Sequence, residues 1–452
     1  MAIKTKTEIE KQADWIREQL SECVDLEDRQ LSVNDKSAQL LFMKSVCDSN
    51  IIYRYVISPF FEIKDIKKFE DYVRSFPGEE VPKDQHKILS NMLKGYAAIF
   101  TEENIFVIQM KKVAGSAVTE ATAEVNVQGS PDAFTENIEV NMNLIRHRYQ
   151  TANLKAEIQV IGSLSQTNIA LMYDSTKVDN QVLKELKKRL SDIEVDVLIA
   201  AGELEQKLSG RKLDIFPTSL VTERPDRMVK SISKGKIGVI IDKTKFAIIA
   251  PSIFYDFFSA MDDRIQLPLV GYFLKGIRYL GLTATLTLPA FYVAFSSYNP
   301  EILRVQVTLM IAGSRANVPY PAIMEVLFML LMVEFLIEAS IRLPKTIGPT
   351  ATTVGGLILG QAATEAGLVS SIMIILVSAV AITNFVIPIN MMNFTVRVLR
   401  YGFLALGFFF GLVGIVLGFV GLIAYLSELR SYNRPYFNVL ADTDSRKGKT
   451  YG

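Results

Sequence analysis

Hydropathy divides this chain so sharply that one water-soluble fold is excluded. Gly402–Tyr425 reads GFLALGFFFGLVGIVLGFVGLIAY, an apolar run with no charge in it. Crossing the hydrocarbon core takes about 20 apolar residues, and this run is long enough. Gly367–Ile387 (GLVSSIMIILVSAVAITNFVI) is nearly as apolar and also uncharged. Before Arg264 the chain is charged, mixed and patterned like a soluble protein. The expected fold is a two-lobed α/β soluble N-terminal region followed by an α-helical transmembrane domain.

Composition narrows the function classes. The chain has 452 residues, room for two or three domains. Its 49 Lys and Arg nearly balance 48 Asp and Glu, so no broad basic field points to nucleic acid. The only cysteines, Cys23 and Cys47, read as free thiols in a reducing compartment. The opening stretch, MAIKTKTEIEKQADWIREQL, has no apolar leader, so the soluble part is expected in the cytoplasm.

The soluble part is expected as a polar N-terminal arm over 1–33, a first α/β lobe over 34–152 and a second over 153–263. In the arm, 6–22 reads as an amphipathic helix. In the first lobe, Asn34–Cys47 suggests a strand or short helix. Ile51–Ile57 is β-branched and aromatic, so it reads as a strand ended by Ser58-Pro59. Ile66–Ser75, stopped by Phe76-Pro77-Gly78, and Lys83–Leu93 read as helices. Ala97–Phe100 and Ile105–Met110 form a hairpin signal. In the second lobe, Ala156–Ile161 and Ile169–Tyr173 alternate like paired strands, and Asn180–Arg189 is a charged helix. Val195–Ile199 reads as a further strand. Ile237–Ile241 and Phe246–Ala250 form another hairpin signal.

The membrane domain is expected over 264–430, with a polar tail over 431–452. Phe254–Arg264 is aromatic and acidic and suits an interfacial anchor. Four candidate spans follow: Tyr279–Tyr298, broken by Pro289, then Ala322–Ile341, Gly367–Ile387 and Gly402–Tyr425. Arg304–Arg315 reads as interfacial. An even number of spans places Arg264, Lys275, Arg278, Arg342, Lys345, Arg430 and Arg434 on the cytoplasmic side. Arg304, Arg315, Arg397 and Arg400 are then outside or interfacial.

The residues that spoil the apolar pattern carry the functional signal. Glu325, Glu334 and Glu338 share one span, where a charge costs about 2.5–3.5 kcal/mol even on low estimates. Glu334 and Glu338 lie four apart on one helix face, and Glu325 lies on roughly the opposite side. Arg342 is spaced to pair with Glu338. Two readings stand: an ion path or gate, and glutamates that brace neighbouring helices. The segment 346–366 (TIGPTATTVGGLILGQAATEA) is rich in Gly, Ala and Thr, and neither a clean loop nor a clean span. Gly356 and Gly360 form a small-xxx-small pair. A weakly apolar stretch at membrane depth needs protein or a water-filled cavity around it. It is either a pore-lining helix of an oligomer or a tightly packed helix. Its pore candidates are Thr353, Leu357, Gln361, Thr364 and Glu365, with the three glutamates supporting a gate.

The soluble part shows no catalytic pattern, metal motif or phosphate loop, so no enzyme activity and no cofactor is expected. Arg146, Arg148, Arg224 and Arg227 could bind an anion, or fix loops by bidentate pairing with carboxylates.

Several blocks together resemble the A subunit of bacterial spore germinant receptors. They are Gly129–Glu136 (GSPDAFTE) with Asn141 and Leu144–Arg148 (LIRHR), and Phe216-Pro217-Thr218 with Thr222–Asp226 (TERPD). In the membrane part they are Ser314-Arg315, Val318–Pro321 (VPYP), Glu334, Glu338–Pro344 (EASIRLP) and Gly355–Gly367 (GGLILGQAATEAG). Ser130 and Thr364 depart from the family pattern, which usually has Pro and Val there. The resemblance marks Arg146, Arg148, Glu223, Arg224, Asp226 and Arg342 as motif residues.

The resemblance implies a multi-pass subunit of a nutrient receptor in the spore inner membrane. It implies a transporter-like B subunit and a lipoprotein C subunit as partners. It also implies a homo-oligomer embedded in membrane lipid, forming a nutrient-gated cation channel that triggers germination. A solute transporter, a scaffold and a non-sensing paralogue that amplifies germination are the alternatives.

Overall fold

The computed structural model describes residues 8–33, 36–76, 84–112, 120–121, 124, 129–209, 214–344 and 347–437. Pro77 and Gly78, Asn34, Lys83, Lys345, Thr346 and the tail beyond 437 lie outside the described residues. The chain divides into two units. One comprises 1–212, 218–252 and 431–434, and the other 213–217, 253–430 and 435–452.

The first unit holds two sheets. In the first lobe β1 (Leu26–Val33), β2 (Lys36–Met43), β3 (Tyr96–Phe100) and β4 (Ile105–Gln109) form an antiparallel meander in the order β1-β2-β3-β4. Residues 8–33 are therefore not an arm apart. Helix α1 (Glu8–Gln19) buries Ala13 and Ile16 in the first-lobe core, and β1 is an edge strand of its sheet.

The Ile51–Ile57 run is helical, not a strand. Helix α2 (Ser49–Ile52) is capped by Asp48, whose carboxylate accepts from the N–H groups of Asn50 and Ile51. It continues through a π turn (Tyr53–Ile57) into α3 (Ser58–Glu62). Ile52, Val56 and Phe60 are buried at four-residue spacing, so helical periodicity overrides the β-branched composition. Helices α4 (Ile66–Arg74) and α5 (Gln85–Leu93) are N-capped by Asp65 and Asp84.

Helix α6 (Ile138–Arg148) leads to the second lobe. There β5 (Leu154–Ile161), β6 (Thr167–Asp174), β7 (Leu220–Thr222), β8 (Ile237–Ile241) and β9 (Ala247–Ala250) pair antiparallel in the order β5-β6-β8-β9-β7. Helices α7 (Asn180–Ser191) and α8 (Ala201–Leu208) supply Leu186 and Leu204 to its core, and α9 (Pro225–Ile232) carries Met228 onto Gly238 of β8. Val195–Ile199 is not a ladder strand. It is irregular, with a bend at Asp196, and it binds the 162–165 turn through Ser163 N–H to Val195 O (3.0 Å) and Leu164 N–H to Asp196 O (2.9 Å).

The tail is not free at its start. Tyr432 is buried in the second-lobe core, and its hydroxyl lies 3.0 Å from Ser219 Oγ. Ser252 N–H donates to Ser431 Oγ at 3.2 Å. The chain thus leaves this unit at Ser252 and rejoins it beside the same residue.

The second unit is helical: α10 (Pro268–Ser297), α11 (Val305–Ser314), α12 (Ala322–Arg342), α13 (Gly348–Glu365), α14 (Ser371–Phe385) and α15 (Asn390–Glu428). By length and composition α10 and α15, the latter counted across its break at Gly411, could cross a membrane. Helix α10 starts well before Tyr279 and runs on through Pro289. The core is built from Tyr292, Val326, Leu330, Met373, Val377 and Leu404.

The Gly402–Tyr425 run is not one straight span. Gly411 has φ 57° and ψ −140°, a conformation open to glycine and closed to helix. In a straight helix Phe403 and Phe419 would stand about 24 Å apart. Their ring centroids are 5.1 Å apart. The chain folds back at Gly411 into two antiparallel halves, and Gly414 packs against the Leu406 carbonyl. Thr395 and Tyr425, one on each half, accordingly both reach Ile215: Thr395 Oγ1 donates to its carbonyl and its N–H donates to Tyr425 Oη.

Candidate functional site

Each glutamate of α12 has an arginine. Glu325 is 1% exposed. It pairs with Arg315 at 3.2 Å, and accepts from Ser370 N–H (2.6 Å) and the Tyr292 hydroxyl (3.2 Å). Its charge is balanced and both its oxygens are engaged. Glu334 lies between two guanidiniums of α15, Arg400 at 2.5 Å and Arg397 in direct contact. Glu338 pairs with Arg342 at 2.6 Å on the exposed surface. Arg315, Arg397 and Arg400 are thus engaged with α12. Arg400 is buried outright.

Helix α13 presents two different faces. Gly355 and Gly356 lie against Leu336 of α12, and Gly360 against Ile374 of α14. A Cβ at any of these positions would meet those side chains at 3.4–4.0 Å, an ordinary contact distance, so glycine fits this face without being required by it. The opposite face is uncovered: Thr353, Leu357, Gln361 and Glu365 are all exposed, at four-residue intervals along one stripe. Thr364 stands off that stripe. It is half-buried, and its hydroxyl donates to the Gly360 carbonyl at 2.8 Å. The glutamates do not meet the stripe in one cluster, since Glu325 and Glu334 are turned to arginines.

The motif residues of the soluble unit bind one another. Arg146 makes a bidentate pair with Asp25 at 2.5 and 2.6 Å. Asp25 also accepts from Ser45 Oγ, and Asn143 donates to the Ser45 carbonyl at 2.6 Å. Arg224 grips Asp226 and donates to the carbonyls of Ser130 (3.0 Å) and Glu124 (3.2 Å). Glu223 accepts from Glu124 N–H at 2.8 Å, and Arg148 pairs with Asp132. The GSPD and TERPD blocks are therefore two sides of one polar joint, with the carboxylates there already used.

Among the described residues no group of His, Cys, Asp and Glu is placed to hold a metal ion. Both cysteines are buried, and burial pushes the Cys47 thiol up to about 12. Sequence reasoning missed Gly411 and the Arg397–Arg400 pair as partners of Glu334. Their three-residue spacing on one helix face was the available signal.

A family model described as the Bacillus/Clostridium GerA spore germination protein matches residues 14–451. The chain belongs to this family. It is 31% identical to "Spore germination protein KA" of Bacillus subtilis (strain 168), over 90% of this chain and 76% of that protein. It is 30% identical to "Uncharacterized membrane protein YfkQ" of the same organism, over 93% of this chain and 84% of that one. Among solved structures, the N-terminal domain of the A subunit of the Bacillus megaterium spore germinant receptor GerK3 aligns with 54% of this chain. It covers 94% of its own chain, at 25% identity and a TM-score of 0.42.

Proposed function

We propose that this GerA-family chain is the membrane subunit of a spore nutrient germinant receptor, whose copies associate around a cation path lined by α13. One observation carries this reading: the exposed Thr353-Leu357-Gln361-Glu365 stripe on a helix whose glycine face is packed. A partly polar helix face at membrane depth needs protein or water, not lipid. Copies of α13 facing a common axis meet that need, with Glu365 the acidic group at one end. The helical unit sits in the spore inner membrane, and the soluble unit is cytoplasmic. Partners are a transporter-like B subunit and a lipoprotein C subunit. The departure and return of the chain beside Ser252 support an even number of crossings.

The test is ion flux through the full chain in sealed liposomes. Cation flux that falls when Gln361→Leu enters the stripe, and loses selectivity with Glu365→Gln, supports the path. Tight homo-oligomers without flux would favour a scaffold instead.

A further inference from the structure

Strand β5 is an edge of the second-lobe sheet, and only its first half is covered. Val24 N–H donates to the Ala156 carbonyl at 3.0 Å, where Cys23 bridges Ala156 in parallel. Residues two apart in a strand point their backbone groups the same way. The N–H and C=O of Ile158 and Val160 therefore also face away from β6, and among the described residues nothing bonds to them there. Their side chains share one face and are 39% and 59% exposed. Val24 and Leu164, both exposed, flank this apolar line. Glu157 lies on the other face, held by Lys187 at 2.6 Å. By contrast β7, at the far side of the same sheet, is only Leu220–Thr222, and the edge strand β1 carries Glu27, Asp28 and Arg29. Short strands and charges are how edges are kept from pairing, and the second half of β5 has neither.

We propose that residues 157–161 of β5 pair antiparallel with the same residues of a second copy of this chain, about a two-fold axis at Gln159. A two-fold contact requires a patch that fits itself, and this edge does. Ile158 falls opposite the partner's Val160, and Val160 opposite the partner's Ile158, each pair exchanging N–H···O bonds. Gln159 meets the partner's Gln159, and an amide both donates and accepts, so no like charges face each other at the axis. The register is bounded at both ends. A longer pairing would displace Val24 from Ala156, and Gly162, at φ 95°, turns the chain away. The partner's 162–165 turn then comes to Val24, with Leu164 as its exposed apolar residue. So short a pairing buries less than the about 800 Å² per partner of a standard interface. Confinement of both copies to one membrane supplies the missing effective concentration. The contact is separate from α13 and does not rest on the cation path.

Gln159→Cys reads the axis. Cα atoms of a non-hydrogen-bonded antiparallel pair stand about 4.5 Å apart, within disulfide reach. The full chain carrying Gln159→Cys, in liposomes under mild oxidation, should link into a dimer. It should do so at least about tenfold faster than Lys188→Cys, an exposed site on α7. Cys23 and Cys47 are buried, so the parent chain should not link. Mixed Ile158→Cys and Val160→Cys chains should link to each other more than to themselves, which fixes the register. Val160→Lys added to Gln159→Cys sets a charge on the edge and should slow linking about tenfold. Circular dichroism melting that matches the parent shows that each variant is folded. Gln159→Cys linking no faster than Lys188→Cys would overturn the pairing. So would a folded Val160→Lys chain that links as fast as Gln159→Cys alone, or self-linking of Ile158→Cys equal to its linking with Val160→Cys. Cation flux that survives the loss of linking would leave the reading of α13 intact.

Discussion

Glu334 and Glu338 sit one turn apart on α12 and illustrate how burial sets the worth of a charge. Glu338 and Arg342 are both exposed, so removing that pair should cost no more than about 1 kcal/mol. Glu334→Gln instead strands two arginines, one of them buried, and should cost about 3–5 kcal/mol. Denaturant unfolding of the full chain in micelles separates the two: a clear loss for Glu334→Gln and almost none for Glu338→Gln. Equal losses would mean that Arg397 and Arg400 do not depend on Glu334. A second residue gives a pH signature outside the membrane part. Burial lifts the Glu205 carboxyl from its ordinary 4.5 to about 7. The folded chain then holds a proton that the unfolded chain releases between those values. Its contribution is complete below about pH 4.5 and is lost as pH rises through 7, a change of about 3 kcal/mol. The hydrogen-exchange protection of the second lobe, taken relative to the intrinsic base-catalysed rate at each pH, should fall between about pH 5 and about pH 8. Glu205→Gln should flatten that change.

At the scale of elements, what the sequence made legible follows from how local the deciding interaction is. The β3–β4, β5–β6 and β8–β9 hairpins were readable because alternation and the intervening turn are adjacent in the chain. Ile51–Ile57 was misread because its β-branched residues suit a strand, while the Ile52, Val56 and Phe60 spacing fits a buried helix face. The three glutamates were legible because charge at membrane depth is costly. Their partners were not: Arg397 is 63 residues from Glu334, and a single sequence does not record which helix packs on which. The fold-back in α15 was hidden for another reason. Gly411 is one of several glycines in a uniform apolar run, and only backbone geometry marks it as the turn. A cysteine pair tests the turn: Phe403→Cys with Phe419→Cys should cross-link under mild oxidation, which a straight helix forbids. Adding Gly411→Ala should weaken the cross-link. A Cβ there meets Asn299 and Tyr298 at 3.2–3.3 Å, in a conformation that costs a non-glycine residue about 1–3 kcal/mol.

For the whole molecule, the helical segment is an insertion into the second lobe. The chain departs at Ser252, returns at Ser431, and the two residues share a hydrogen bond of 3.2 Å. Ser431 Oγ also donates to the Thr218 carbonyl at 2.7 Å, and Arg434 pairs with Asp179 at 2.5 Å. Tyr432 completes the second-lobe core, so a cut near residue 265 removes part of that core along with the helices. Tyr432→Ala should therefore destabilise the soluble unit by about 3–5 kcal/mol, as large-to-small core changes do. Joined ends also constrain topology. A polypeptide that starts and finishes at one point on one side of a bilayer crosses it an even number of times, whatever each helix does between. If both halves of the fold-back at Gly411 span, or neither does, the helices before it must themselves cross an even number of times; if one half spans, they must cross an odd number. Lys188→Cys and Arg434→Cys, both exposed, should react with an impermeant maleimide from the same face of sealed vesicles. Labelling from opposite faces would require that the Ser252–Ser431 bond be absent in the membrane, and with it the insertion of the helices into a single lobe.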